Sequence, residues 1–280
     1  MYAVNEMFGL YTNGPIFPDL SIVIETQECP FNRSGICTKM RKSDPDTKIG
    51  TCSLVFSSCD QPLLICPDRL TEGKKIFIDC LQYLHITGGE LYLIPEVKTS
   101  VGSIDYVLSV VRNGQVQDFV AIELQTMDTV GTIWDERQEM LADYELAEYY
   151  ESKGRKAGVN WKMTAKTILA QVIQKCQLLS NMNRKLVLVC QTPLLNYMQN
   201  NFNFSEVHMQ RPLDVFNIHA YDYLSNGERM ELMLAKQLSA DLDGVERIMG
   251  ANGKEDLELE RINARILERA LPEYRFDPFD

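Results

Sequence analysis

The sequence predicts an α/β fold: a mixed sheet flanked by helices, with a small cysteine-rich metal-binding subdomain ahead of it. Three observations carry this. Two β-type runs, 103–111 and 116–126, flank Asn113-Gly114; apolar stripes at helical spacing lie on either side of them; and six of the eight cysteines fall before residue 81. The expected division is a metal-bearing arm over residues 1–70 and a core over 71–280 with a helical C-terminal part.

Residues 1–70 are punctuated by Gly and Pro and offer one short strand, at 21–25 (Ser-Ile-Val-Ile-Glu). Thr71 can cap a helix running to about residue 86, with Ile76, Phe77, Cys80, Leu81 and Leu84 on its buried side and Gly88-Gly89 as its stop. A strand is expected at 91–98, then the hairpin, then helices at 134–151 and 161–182. The second helix has Ile168, Leu169, Val172, Ile173, Cys176 and Leu179 at helical spacing. The run 185–191 (Lys-Leu-Val-Leu-Val-Cys-Gln) has the pattern of a strand buried on both faces. A strand near 214–223 and helices at 227–240 and 255–270 complete the reading.

The hairpin carries the chemistry. Asn-Gly is the strongest short-range hairpin signal, and the flanking runs are rich in β-branched and aromatic residues. Glu123 and Gln125 share one face of their strand, while Ile122 and Leu124 take the other. A strict two-residue turn would pair Asp105 with Ile122 and set Asp105 and Glu123 on opposite faces. A three-residue loop or one bulge brings them together, and that is the expectation. Two carboxylates held close in a partly desolvated site repel each other unless a cation lies between them; oxygen-only ligands of this kind suit Mg²⁺.

The formal charge of −11 argues against a nucleic-acid coat protein, but the charge is segregated. Residues 152–185 contain eight Lys and Arg and no acid, whereas 228–280 hold thirteen acids against eight bases. A second basic cluster comprises Arg33, Lys39, Arg41, Lys42 and Lys48. Lys162 and Lys166, at i and i+4, can face one phosphate track, and Arg33, Lys39, Arg41 and Lys42 can reach phosphates or guanine edges. For each run the competing interpretation is a solvated face. No apolar run approaches the ~20 residues of a membrane span, and the first residues lack the pattern of a signal peptide.

In a reducing compartment clustered cysteines favour a thiolate metal site over disulfides. Cys29 and Cys66 each precede Pro, and Cys37 and Cys52 sit in Gly-rich turns. These four are the expected ligands of a structural iron or zinc, between which four thiolates do not discriminate; Cys59 is the reserve. Cys80, Cys176 and Cys190 are expected in the core.

The order helix, strand, Asp-bearing strand, Glu-x-Gln strand, helix, strand resembles the PD-(D/E)xK nuclease superfamily, with Gln125 where lysine usually stands. The wider sequence resembles the NotI-type restriction endonucleases. The carrying residues are Cys29-Pro30-Phe31-Asn32-Arg33, Cys37, Gly50-Thr51-Cys52-Ser53, Ile65-Cys66-Pro67-Asp68-Arg69, Pro95-Glu96-Val97, Gly102-Ser103-Ile104-Asp105-Tyr106, Val120-Ala121-Ile122-Glu123-Leu124-Gln125, Gly131-Thr132 and Asn160-Trp161-Lys162-Met163-Thr164-Ala165-Lys166. The resemblance implies a restriction-endonuclease-like fold and an Mg²⁺-dependent type II endonuclease. It also implies a four-cysteine iron or zinc arm, a homodimer, and a GC-rich palindromic target in double-stranded DNA. By position, Asp105 and Glu123 become metal ligands and Gln125 the third motif residue. Glu96, after Pro95, becomes a further acid near the metal, with Glu90 as its competitor. The expected location is the bacterial cytoplasm, with no membrane partner. Three rivals remain: a nonspecific repair or defence nuclease of this fold, a catalytically silent metal-stapled DNA-binding protein, and, last, a redox protein using the cysteines, against which stands the lack of a Cys-x-x-Cys pair.

Overall fold

The computed structural model describes residues 3–14, 20–41, 44–148, 157–249 and 263–264. The N-terminal part holds β1 (Val4–Met7), β2 (Leu10–Tyr11), α1 (Leu20–Thr26), β3 (Met40–Arg41), β4 (Asp44–Lys48), β5 (Thr51–Leu54) and β6 (Leu63–Leu64). Strands β2-β1-β5-β6 form a small sheet, and β3 pairs with β4. The expected strand at 21–25 is instead helix α1. Its β-branched residues suggested a strand, but Leu20 is buried and Val23 and Ile24 pack against the same cluster, a helical i, i+3, i+4 spacing.

The expected helix from Thr71 to 86 is three short pieces. A 3₁₀ turn over Pro67–Lys74 leads into α2 (Lys75–Cys80), and a second 3₁₀ turn spans Leu81–Tyr83. Glu72 is non-helical, and Gly73 and Lys74 are left-handed, which breaks the run. The Thr71 hydroxyl, expected to cap, bonds instead with the carbonyls of Phe31 and Asp68. Ile76, Phe77, Cys80 and Leu84 are buried as the pattern indicated.

The remaining elements are β7 (Glu90–Thr99), β8 (Gly102–Arg112), β9 (Gln115–Gln125), β10 (Thr129–Val130), α3 (Trp134–Asp143), β11 (Gly158–Val159), α4 (Trp161–Ser180), β12 (Lys185–Gln191), α5 (Thr192–Asn201), β13 (His208–Met209), β14 (Phe216–Ser225), β15 (Met230–Ala240) and α6 (Leu242–Ile248). The large sheet has the order β13-β15-β14-β12-β9-β8-β7. Strand β12 runs parallel to both β9 and β14, and the other pairings are antiparallel. This is the mixed α/β sheet that the sequence indicated. One face packs on α4, α5 and α6 and the other on α2 and its flanking turns. Cys80, Cys176 and Cys190 are fully buried.

Residues 227–240 do not form the expected helix: they supply β15, paired along β14. Glu, Met, Leu, Ala, Lys and Gln favour helices in isolation, but Met230 and Leu232 alternate into the core and pairing satisfies the edge of β14. The helix expected at 255–270 falls almost wholly outside the described residues.

A buried ion pair ties the small sheet to the large one. Arg69 Nε donates to Glu6 Oε2 at 2.6 Å, its Nη2 donates to the Met230 carbonyl at 2.8 Å, and Tyr223 also donates to Glu6. Glu72 lies 3.0 Å from Arg69 Nη1. Breaking such a pair on one side leaves an uncompensated buried charge. Arg69→Met is therefore expected to lower the unfolding free energy by about 3–5 kcal/mol in a urea titration. A loss under about 1 kcal/mol, the range of an exposed pair, would show that the tie is dispensable.

Candidate active site

The parity question has a definite structural answer. Arg112 pairs with Gln115 across a two-residue turn whose Asn113 and Gly114 have φ of +51° and +73°, the positive values a type I′ turn requires. The register then shifts between Val110, paired with Asp118, and Val111, paired with Val116, which leaves Gln117 as the extra residue of a bulge. Beyond it Tyr106 pairs with Ile122, so the next position sets Asp105 level with Glu123. The Leu124 amide donates to Asp105 Oδ2 at 2.8 Å, which holds the aspartate against β9.

On the other side of β8, Pro95 pairs with Tyr106 and Val97 with Ile104, so Glu96 stands level with Asp105. Glu96, Asp105 and Glu123 thus occupy one row across three adjacent strands, and the row continues to Leu188 on β12. Glu96 is exposed and has φ +51°, a left-handed conformation that costs a non-glycine residue about 1–2 kcal/mol. The competitor Glu90 lies at the far end of β7, opposite Val111, and accepts a hydrogen bond from Tyr92.

Glu123 is 2 % exposed, and Lys175 of α4, 3 % exposed, places its Nζ 2.7 Å from Glu123 Oε1. The contact is a buried ion pair. Burial pushes the Glu123 carboxyl up to about 7, aided by the nearby Asp105 and opposed by Lys175. Burial also raises Asp105; the Leu124 amide and Lys175 oppose this, and Glu96 adds to it. Gln125 is half-buried at the end of β9, and its amide nitrogen donates to the Thr126 carbonyl at 2.6 Å.

Helix α4 is fixed relative to this row. The Asn160 side chain caps it by accepting from the Met163 amide, the Asn160 amide donates to the Asp128 carbonyl at 2.9 Å, and the Thr164 hydroxyl bonds with the Asp128 carboxylate at 3.1 Å. The segment that follows Gln125 is thereby stitched to the first turn of α4. Lys162 and Lys166 are both exposed on that helix. Lys175, which sequence reasoning had placed only in a basic run, occupies the apolar stripe Ile168, Val172, Leu179 at i+7 from Ile168. A lysine in a buried stripe was the available signal.

Arg33, Lys39 and Arg41 of the arm each have a partner, two of these partners lying outside it. Arg33 Nη2 donates to the Leu93 carbonyl at 2.7 Å, Lys39 Nζ donates to the Ile65 carbonyl at 2.8 Å, and the Arg41 guanidinium lies 4.1 Å from the centroid of the Trp134 ring. Lys42 lies outside the described residues.

Cys29, Cys37, Cys52 and Cys66 are all buried in one corner, whereas Cys59 is only half-buried and lies beside Ser58, Trp161 and Tyr197. Cys37 is within electrostatic reach of both Cys29 and Cys66, and Cys66 of Cys52. Burial raises the Cys29 and Cys52 thiols and pushes Cys66 up to about 11. The amides of Phe31 and Asn32 are turned toward Cys29, and that of Asp68 toward Cys66, an arrangement that favours thiolate. Among the described residues, no three Cys, His, Asp or Glu side chains are gathered closely enough, as placed, to hold a metal ion. The donor sets nonetheless fit two kinds of ion by chemistry: soft thiols in the arm, hard carboxylates in the row.

The profile described as "Restriction endonuclease NotI" matches residues 25–211, about two thirds of the chain. The chain belongs to the NotI restriction endonuclease family. It is a type II restriction endodeoxyribonuclease that acts on DNA. The NotI match spans the four arm cysteines, the acidic row and α4, but not β14 or β15. No curated protein matched the sequence significantly. Among the described residues, no helix is long and apolar enough to cross a membrane.

The raised Glu123 carboxyl gives a signed pH dependence. Its folded value of about 7 lies above an ordinary 4.5, so its contribution to stability is fully present below pH 4.5 and is lost as pH rises through 7. In EDTA, wild-type protein is expected to lose up to about 3 kcal/mol relative to Glu123→Gln between pH 4.5 and pH 8. Parallel stability profiles for the two proteins would contradict this.

Proposed function

We propose that this NotI-family enzyme hydrolyses phosphodiester bonds at a specific, GC-rich palindromic site in double-stranded DNA, as an Mg²⁺-dependent homodimer. The observation that carries the reading is the alignment of Asp105 with Glu123 on one face of the sheet, beside the buried Lys175. The GC-rich palindrome rests on the resemblance in the cysteine-arm and Glu-x-Gln motifs. A palindrome cut by one active site per chain implies a two-fold dimer.

Asp105 and Glu123 would hold the Mg²⁺, with Glu96 as the further acid of the row. Bound there, the ion supplies charge compensation at the phosphate and acidifies water. Asp105 is held in place by the Leu124 amide and Glu123 by Lys175. Gln125 can neither accept a proton as a general base nor carry charge; its amide, anchored on Thr126, presents its oxygen as an acceptor that can orient water. The exposed Lys162 and Lys166 suit phosphate contacts. Arg33, Lys39 and Arg41 contribute charge from the arm while holding its architecture, and Lys42 extends the same cluster in sequence. Cys29, Cys37, Cys52 and Cys66 would hold one structural iron or zinc, the amides facing Cys29 and Cys66 favouring the deprotonated ligands.

Incubation with plasmid and genomic DNA, in Mg²⁺ or EDTA, followed by end sequencing, tests the reading. Discrete Mg²⁺-dependent fragments sharing one end motif are expected; a smear, or cleavage in EDTA, would overturn it. Asp105→Ala and Glu123→Ala are expected to abolish cleavage while sparing DNA binding in a gel-shift titration. Gln125→Ala should slow cleavage without eliminating it, and metal-dependent cutting by either acid variant would remove that acid from the site. For the arm, elemental analysis is expected to find one iron or zinc per chain, lost in Cys66→Ser; a metal-free wild type would refute the thiolate site.

A further inference from the structure

Lys175 has a role that neither the family motif nor the basic run accounts for. An ammonium in the middle of a buried helical stripe is costly to desolvate, and an apolar side chain would fill the same space without that cost. Its stem lies beneath the turn between β7 and β8, where a Cβ on Gly102 would come within 3.9 Å of Lys175 Cε. Its head reaches Glu123 at 2.7 Å, with Asp105 also in electrostatic range. The motif position that elsewhere carries a lysine is here Gln125, whose amide bears no charge.

Charge counting gives the ammonium a specific function. Glu96, Asp105 and Glu123 together carry three negative charges when ionised. One divalent cation and Lys175 together carry three positive ones. We propose that Lys175 is a positioning residue of the nuclease centre: delivered from α4, it holds the Glu123 carboxylate in the acidic row and supplies the fixed positive charge that Gln125 lacks, so that the row takes a single divalent cation. This inference rests on the nuclease reading given above and adds to it a residue outside the motif. It differs from a purely structural role in sign, because removing a fixed cation from a group of carboxylates should strengthen, not weaken, their hold on a metal ion.

The test combines calorimetric titration of Ca²⁺ into the full-length protein with single-turnover cleavage of supercoiled plasmid in Mg²⁺, for wild type, Lys175→Met and Lys175→Arg. Wild type is expected to bind one Ca²⁺ per chain in the row, a signal absent from Asp105→Ala. Lys175→Met is expected to bind that Ca²⁺ at least tenfold more tightly or to take a second ion. The same variant should cleave at least about 100-fold more slowly, the scale of losing one preorganised electrostatic group, with plasmid affinity within threefold of wild type. Lys175→Arg, which keeps the charge, should fall between the two. Wild-type cleavage or a wild-type isotherm in Lys175→Met overturns the proposal, as does a joint fall in Ca²⁺ affinity, DNA affinity and thermal stability. Should Lys175→Met fail to fold, the ¹⁵Nζ resonance of Lys175 in wild type decides: it is expected to shift in step with Ca²⁺ binding, and indifference to the metal overturns the proposal. A wild type that neither binds Ca²⁺ nor cleaves defeats the nuclease reading as well; one that does both while Lys175→Met matches it defeats this inference alone.

Discussion

The structure depends on compensating one acid, Glu123, at a strand position where both faces of the sheet are covered. Ile122 packs into the core beneath α2, and Ala121, on the same face as Glu123, packs beneath α4. A carboxylate in that setting either takes a proton or finds a cation. Several features converge on the second solution: the bulge at Gln117 brings Asp105 alongside, the Asn160 cap and the Thr164–Asp128 bond set the position of α4, and α4 delivers Lys175. Each feature is local, but a one-residue slip in the hairpin would turn Glu123 or Asp105 to the opposite face and separate the row.

The arm and the sheet are joined by a second buried charge with a different purpose. Arg69 follows the Cys66-Pro67 turn and reaches Glu6 in the small sheet and the Met230 carbonyl at the start of β15. The cysteine corner is therefore anchored to a strand at the other side of the large sheet, and the 4.5 Å approach of the guanidinium to the Phe31 ring adds a contact beside Cys29. A thiolate-bound metal in this corner would brace a segment otherwise built from short strands and turns, which have little core of their own. The net charge of −11 is compatible with DNA as partner because the exposed lysines of α4 lie in a stretch free of acids.

Much of the core was legible because its signals are local. Asn113-Gly114 specified the turn, alternation specified β8 and β9, and the continuous apolar run specified β12. The parity of Asp105 and Glu123 required an irregularity, and the structure supplies it as a bulge with the two-residue turn intact. In two elements tertiary contacts overrode propensity. Residues 21–25 look like a strand by composition, yet Val23 and Ile24 pack inward from a helix; 227–240 look like a helix, yet 230–240 pair with β14 because that edge needs a partner. The helix from Thr71 was broken by left-handed Gly73 and Lys74, which spacing alone does not reveal. Lys175 was overlooked because a basic run was read by charge alone, without asking which face of α4 each lysine occupies.

Anomalous diffraction from crystals of the protein bound to DNA and soaked in Mn²⁺ tests the central claim most directly. The account places one Mn²⁺ peak per chain between Asp105 and Glu123, on the α4 side of the sheet and distinct from any iron or zinc signal at the cysteine corner. A Mn²⁺ peak bound elsewhere, or none at this row in a complex that cleaves once Mg²⁺ is added, would contradict it.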